Sequence, residues 1–137
     1  MTREHTGGCL CGTVRYVVRG PLRDVVNCHC GQCRRTHGHF GAYTWTERQN
    51  LTMLTDLGLK WYQSSPWARR GFCSECGSSL FWERIDDPEN GLAIAAGTLD
   101  LPTGLRTVRH IFVADAGDYY TIPDGLEKIP GSMRDTT

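Results

Sequence analysis

The sequence has no surplus of charge. Fifteen Lys and Arg residues balance fifteen Asp and Glu over 137 residues. Overall charge therefore supplies no hold on a nucleic acid or an anionic membrane, although a local patch stays open. Long apolar runs are also missing. The longest, such as Leu92 to Ala96, fall far short of the roughly 20 residues that cross a bilayer. Met1 to Gly8 carry no apolar stretch, so no signal peptide and a cytoplasmic location are expected. Repeats, low-complexity tracts and linkers are absent. Hydrophobic residues make up 39% and charged residues 22%, which excludes a disordered chain. The expectation is one domain over residues 1–137, with a core from about 7 to 129 and a polar C-terminal tail that frays.

An even number of cysteines is lacking too. There are seven, so disulfides cannot use them all, and a secreted disulfide scaffold is disfavoured. None stands alone. They fall into Cys9-x-Cys11, Cys28-x-Cys30-x-x-Cys33 and Cys73-x-x-Cys76. Clustered cysteines in a reducing compartment usually bind metal, and tight knuckles bring their sulfurs to one face, as tetrahedral zinc requires. Gly12 and Gly77 directly follow two of the groups, where a turn needs φ > 0.

The count suggests a division. Cys9, Cys11, Cys73 and Cys76 would close one structural zinc site. Cys28, Cys30 and Cys33 would make a second site with an open fourth position, the pattern of catalytic zinc. Other pairings stay open on spacing alone. So does a fourth histidine ligand, for which His37, His39 and His110 are freer than His29. His29 lies between two ligands and should point elsewhere.

The rest reads as short strands. Thr13–Val18, Phe40–Trp45, Leu51–Leu54, Leu59–Gln63, Arg69–Phe72, Ser79–Trp82, Leu92–Ala96, Ile111–Val113 and Tyr119–Ile122 are β-type runs between turn residues. One helical turn is expected through Cys33-Arg34-Arg35. No long segment keeps a helical period. The expected class is all-β, with twisted antiparallel sheets of short strands stapled by zinc. Trp45, Trp61, Tyr62, Trp67, Phe81 and Trp82 are expected in the core and strand pairs.

Gly7-Gly8-Cys9-Leu10-Cys11-Gly12-Thr13-Val14-Arg15-Tyr16 resembles the opening of the glutathione-dependent formaldehyde-activating enzyme family, which also includes centromere protein V. Cys28-His29-Cys30-Gly31-Gln32-Cys33-Arg34-Arg35 is similar to its central motif. Phe72-Cys73-Ser74-Glu75-Cys76-Gly77 is similar to its third. Gly97-Thr98-Leu99-Asp100 and His110-Ile111-Phe112-Val113 resemble its later signatures. The resemblance implies a β-tent fold and the same partition of ligands into structural and catalytic zinc. It also implies a carbon–sulfur lyase that joins glutathione and formaldehyde into S-(hydroxymethyl)glutathione. The chain departs from the pattern at Asp118-Tyr119-Tyr120, where relatives often carry Trp, and at Glu127, where they often carry Pro. If that region lines the pocket, the substrate differs.

Three thiolates make zinc a weak Lewis acid, better suited to holding a thiolate than to generating hydroxide. Cys28, Cys30 and Cys33 are therefore the expected catalytic set, with a substrate thiolate attacking an aldehyde carbon. Arg34 and Arg35 are expected to meet the carboxylates of glutathione, their alternative being to offset the thiolates. His29 and His37 are candidates for proton transfer. Asp100 and His110 are expected to be structural, Asp100 by bonding its own turn. The expected partners are a small thiol and an aldehyde, with no membrane and no nucleic acid. The competing function is a module in which both zincs only staple the fold.

Overall fold

The β-branched and aromatic runs form strands because a pleated, half-buried surface suits them. The computed structural model describes residues 4–87 and 89–133. Its strands are β1 (Glu4–Gly8), β2 (Val14–Arg19), β3 (Val25–Cys28), β4 (Gly41–Thr46), β5 (Leu51–Asp56) and β6 (Leu59–Ser65). They continue with β7 (Ala68–Cys73), β8 (Ser79–Arg84), β9 (Leu92–Ala95), β10 (Thr107–Ile111) and β11 (Glu127–Lys128). One helix, α1, spans Gly31–His37. The class is all-β, as expected. The end of the tail expected to fray, from residue 134 onward, lies outside the described residues.

The chain divides into two compact units. The first takes the chain through Arg23 and then Thr44–Gly104. The second takes Asp24–Tyr43 and the chain from Leu105 onward.

In the first unit, β2 lies between β1 and β5, antiparallel to both. This central place buries Val14, Tyr16, Val17 and Val18 almost completely. Strands β6, β7, β8 and β9 follow one another as antiparallel neighbours, and Leu80, Phe81 and Ile94 are buried there. Tyr16 meets Phe81 edge-on at 5.4 Å between ring centroids. Its hydroxyl lies 2.8 Å from the Thr98 hydroxyl. Buried Glu83 is satisfied by Arg69 at 2.6 Å and Arg48 at 3.2 Å. Arg69 also lies over the Trp61 ring, 4.0 Å from its centroid.

In the second unit, β3 pairs with β4 antiparallel but with β10 parallel, and β10 pairs with β11 parallel. This sheet is therefore mixed, not purely antiparallel.

Several expectations shift. Strands β1 and β3 were not foreseen: Glu4-His5-Thr6-Gly7-Gly8 is polar and glycine-rich, and it extends because β2 pairs with it. The run expected at Ile111–Val113 ends at Ile111. Phe112 takes a left-handed conformation (φ 55), and Val113–Asp115 turns as a 3-10 helix. Tyr119–Ile122 is not a strand; the tyrosines at its start bond histidine rings instead. Tyr62 and Trp67 are exposed rather than core.

Asp100 is structural, but not through its own turn. It accepts from Thr6 Oγ1 at 2.6 Å and is gripped by both Arg15 Nη atoms, at 3.2 and 2.6 Å. The Arg15 guanidinium, helped by Thr6, lowers its carboxyl to about 2. A lowered carboxyl stabilises the fold above its unfolded value near 4 and loses that contribution as pH falls through about 2. Asp100→Asn should therefore lower the urea midpoint at pH 5, and the gap from wild type should narrow steadily as pH falls toward 2. A gap independent of pH would remove Asp100 from this role.

Candidate metal centres

The first cysteine cluster lies wholly within the first unit. Past β1 the chain turns through Gly12 (φ 86). The Cys9 N–H donates to Val14 O at 3.0 Å, and the Val14 N–H returns to Cys9 Sγ at 3.3 Å. At the end of β7 the Cys76 N–H donates to Cys73 Sγ at 3.4 Å. The Gly77 N–H, with φ 82, donates to Cys73 O at 2.7 Å. The two loops meet where the Leu10 N–H donates to Ser78 Oγ at 3.0 Å. Gly58 permits the approach, since a Cβ there would lie 2.8 Å from Cys73 Sγ.

The sulfurs of Cys9, Cys11, Cys73 and Cys76 all lie within 4.8 Å of one another. Cys11 Sγ is 3.7 Å from both Cys9 Sγ and Cys73 Sγ. A disulfide needs about 2.05 Å, and all seven cysteines are unbridged. Zinc–sulfur bonds of about 2.3 Å in a tetrahedron need sulfurs about 3.8 Å apart. Spacing and donor chemistry both fit zinc. The Ser78 hydroxyl, 3.2 Å from Cys76 Sγ, together with the Ser78 N–H, lowers the Cys76 thiol to about 5.

The second cluster lies wholly within the second unit. Cys28 ends β3, Cys30 caps α1 and Cys33 sits buried in its first turn. The cap is a sulfur acceptor: Cys30 Sγ takes the Cys33 N–H at 3.3 Å. The helix stops at Gly38 (φ 78), whose N–H donates to Arg34 O at 2.8 Å. The three sulfurs lie within 4.8 Å of one another. Among the described residues no further His, Cys, Asp or Glu joins the group. Hydrogen bonds from Cys28 and Cys33, with the Cys33 and Gln32 N–H groups, lower Cys30 to about 2. Cys30, then Cys33, then burial push Cys28 far up. Three soft donors, with no fourth His, Cys, Asp or Glu beside them among the described residues, fit a zinc with an open position.

Arg34 and Arg35 follow on α1. Arg34 is half-buried with its Nε buried and unbonded, and Arg35 is exposed. His29 does point elsewhere. Its Nε2 is 2.9 Å from His110 Nδ1, and its Nδ1 is 2.5 Å from the Tyr120 hydroxyl. His110 Nε2 in turn meets Asp124 Oδ2 at 2.9 Å. Burial, with the charges of His110 and His39, lowers His29. Burial raises the Tyr120 hydroxyl, with Tyr119 adding to the rise and the Gly117 N–H and Arg34 opposing it. His37 bonds the Tyr43 hydroxyl at 2.5 Å, and His39 bonds that of Tyr119 at 2.7 Å. Neither joins the sulfur cluster. Tyr120 and Asp124 were not singled out in the sequence: Tyr120 reads as strand and Asp124 as part of the Pro123-Asp124-Gly125 turn. The one signal was the departure at Asp118-Tyr119-Tyr120.

Fold and sites together define an all-β protein with two cysteine clusters of metal-ligand spacing, one of four sulfurs and one of three. The chain matches the glutathione-dependent formaldehyde-activating enzyme family over residues 4–115 and belongs to that family. An uncharacterised lyase of the fission yeast Schizosaccharomyces pombe is 30% identical over 82 residues. That match takes in 58% of this chain and 57% of the relative, so the chain spans little more than half of the relative's length. A crystal structure of a Rhodobacter sphaeroides protein is similar at 25% identity with a TM-score of 0.58. It covers 74% of this chain and 97% of that one. Among the described residues no helix is long and apolar enough to cross a membrane.

Changing Cys73 and Cys76 together to Ser should remove one equivalent of zinc from protein purified with two, measured by mass spectrometry of the bound metal. It should also lower the thermal midpoint. Retention of both equivalents would show that this cluster is not a metal site.

Proposed function

We propose that the chain is a zinc-dependent carbon–sulfur lyase acting on thiol–aldehyde adducts, with glutathione and formaldehyde as the first candidates. Membership of the family supports the class. The observation that carries the reading is the contrast between clusters: four converging sulfurs in one, three in the other. A zinc held by Cys28, Cys30 and Cys33 supplies a position at which a substrate thiol stays ionised near neutral pH.

The chain's own residues do the rest. The N–H donors at the start of α1 and its neighbouring thiols hold the Cys30 thiol low. Arg34 and Arg35 directly follow Cys33, and their guanidinium groups suit the two carboxylates of glutathione. His29 is not the base, because both its ring nitrogens are engaged away from the sulfurs. In the forward direction the thiol sulfur bonds the aldehyde carbon, the carbonyl π bond opens, and the proton lost by the thiol ends on the new hydroxyl. In reverse the carbon–sulfur bond breaks and thiol and aldehyde are restored. The clustered, unbridged cysteines support a reducing compartment, for which the cytoplasm is the reading.

Thiols add to formaldehyde unaided, so the assay must measure interconversion above that background. Exchange spectroscopy on an equilibrated mixture of glutathione, formaldehyde and adduct does so. Cys30→Ser should cut the enzymatic part by at least about 100-fold, since even partners one step out from a metal ligand cost about 10–100-fold. Unchanged exchange, with unchanged zinc, would leave both clusters as staples of the fold.

A further inference from the structure

The three sulfurs of the second cluster sit on different elements. Cys28 is the last residue of β3, paired with Gly41 of β4 and with Ile111 of β10. Cys30 caps α1, and Cys33 lies in its first turn. The sheet therefore holds one sulfur and the helix holds two. Only His29 stands between Cys28 and Cys30, so its placement decides whether the three converge. His29 is held at three points. Its backbone N–H donates to Ile111 O at 3.0 Å. Its Nε2 is 2.9 Å from His110 Nδ1, and its Nδ1 is 2.5 Å from the Tyr120 hydroxyl. Behind it, His110 Nε2 meets Asp124 Oδ2 at 2.9 Å. Asp124 is anchored in turn: Oδ1 takes the Leu126 N–H at 3.1 Å and faces Lys128 Nζ at 3.5 Å. Lys128 lies in β11, opposite His110 of β10.

A neutral imidazole has one donor and one acceptor nitrogen, so two partners saturate each ring. Both rings are also buried, at 1% and 3% exposure. Turning either one over would break two hydrogen bonds where water does not replace them, and buried polar groups left unpaired are costly. We propose that Asp124, His110 and Tyr120 are positioning residues for the second metal centre: by locking His29 they fix the junction of β3 with α1, and with it the spacing of Cys28, Cys30 and Cys33. Neither Asp124 nor His110 joins the sulfur cluster. They act through His29 alone. The need is physical. Among the described residues the cluster has three ligands and no fourth to compensate for drift, so a preset spacing counts for more. The proposal rests on these three cysteines holding zinc, as in the function proposed above, but not on the reaction.

Zinc affinity tests it, read on the zinc-loaded full chain by competition with a chromophoric chelator at one fixed pH. Tyr120→Phe removes only a hydroxyl, and Asp124→Ala removes the exposed far end of the row. Each should weaken one of the two zinc equivalents by about 10-fold and leave the other unchanged, since partners behind a metal ligand cost about 10–100-fold. Cys30→Ser protein should keep one equivalent. In that background neither change should alter the remaining affinity, because the site they serve is already lost. A role in general stability would instead weaken both equivalents, and the survivor in Cys30→Ser as well. That result, or unchanged affinity for both equivalents, would overturn the proposal. If wild type takes up a single equivalent that Cys30→Ser retains, the second cluster is not a zinc site, and the proposal falls with that reading. Turnover does not enter the measurement, so failure of the lyase reading alone leaves these affinities as expected.

Discussion

Sulfurs packed this closely cannot all be charged on their own. Two unit charges about 4 Å apart repel by about 4 kcal/mol at the effective dielectric of a protein surface. A whole domain is stable by only about 5–15 kcal/mol. Four thiolates within 4.8 Å of one another would exceed that range unless a divalent cation sat among them. The surrounding chain is shaped to this crowding. Gly12 and Gly77 adopt positive φ so that each loop can turn its sulfurs inward. Gly58 gives up a side chain so that Cys73 Sγ can occupy the space. Such loops have little apolar content of their own. Metal binding would then be folding free energy for this part of the first unit.

The second cluster answers the same constraint differently. With one sulfur fewer, the repulsion is smaller, and the chain itself offsets part of it. The first turn of α1 directs backbone N–H groups at Cys30, which hold its thiol low while Cys28 is pushed up. An ion held by three sulfurs rather than four would keep one position for a changing ligand.

The sequence was most legible where chemistry and spacing coincide. Both clusters can be grouped from the cysteine positions alone, because CxC and CxxC spacings restrict where sulfurs can go. Strands β2 and β5–β9 follow from local patterns of β-branched and aromatic residues. The illegible parts are those that depend on long-range pairing. Strand β1 has almost no intrinsic preference and exists because β2 supplies its partner. The Tyr119–Ile122 run has strong strand character but ends as a loop. There Tyr119 reaches His39 and Tyr120 reaches His29, 80 and 91 residues away in the chain. No local pattern carries that information. Asp124 is likewise indistinguishable from any turn aspartate until His110 is seen beside it.

His29 shows how one short motif serves two purposes. In extended chain, successive side chains point to opposite faces. A CxC pair that converges on one point must therefore throw its middle residue the other way. Cys28 and Cys30 converge, and His29 is turned into the buried row between Tyr120 and His110. The residue is excluded from the metal by the geometry that makes its neighbours ligands. The same geometry ties the row to the cluster by one residue of backbone on either side. A shift of His29 toward Tyr120 would have to move Cys28 or Cys30. A rigid sulfur cluster would in turn fix where the Tyr120 hydroxyl can stand. Sulfur geometry on one face and hydrogen-bond direction on the other would then be set together, by three consecutive residues.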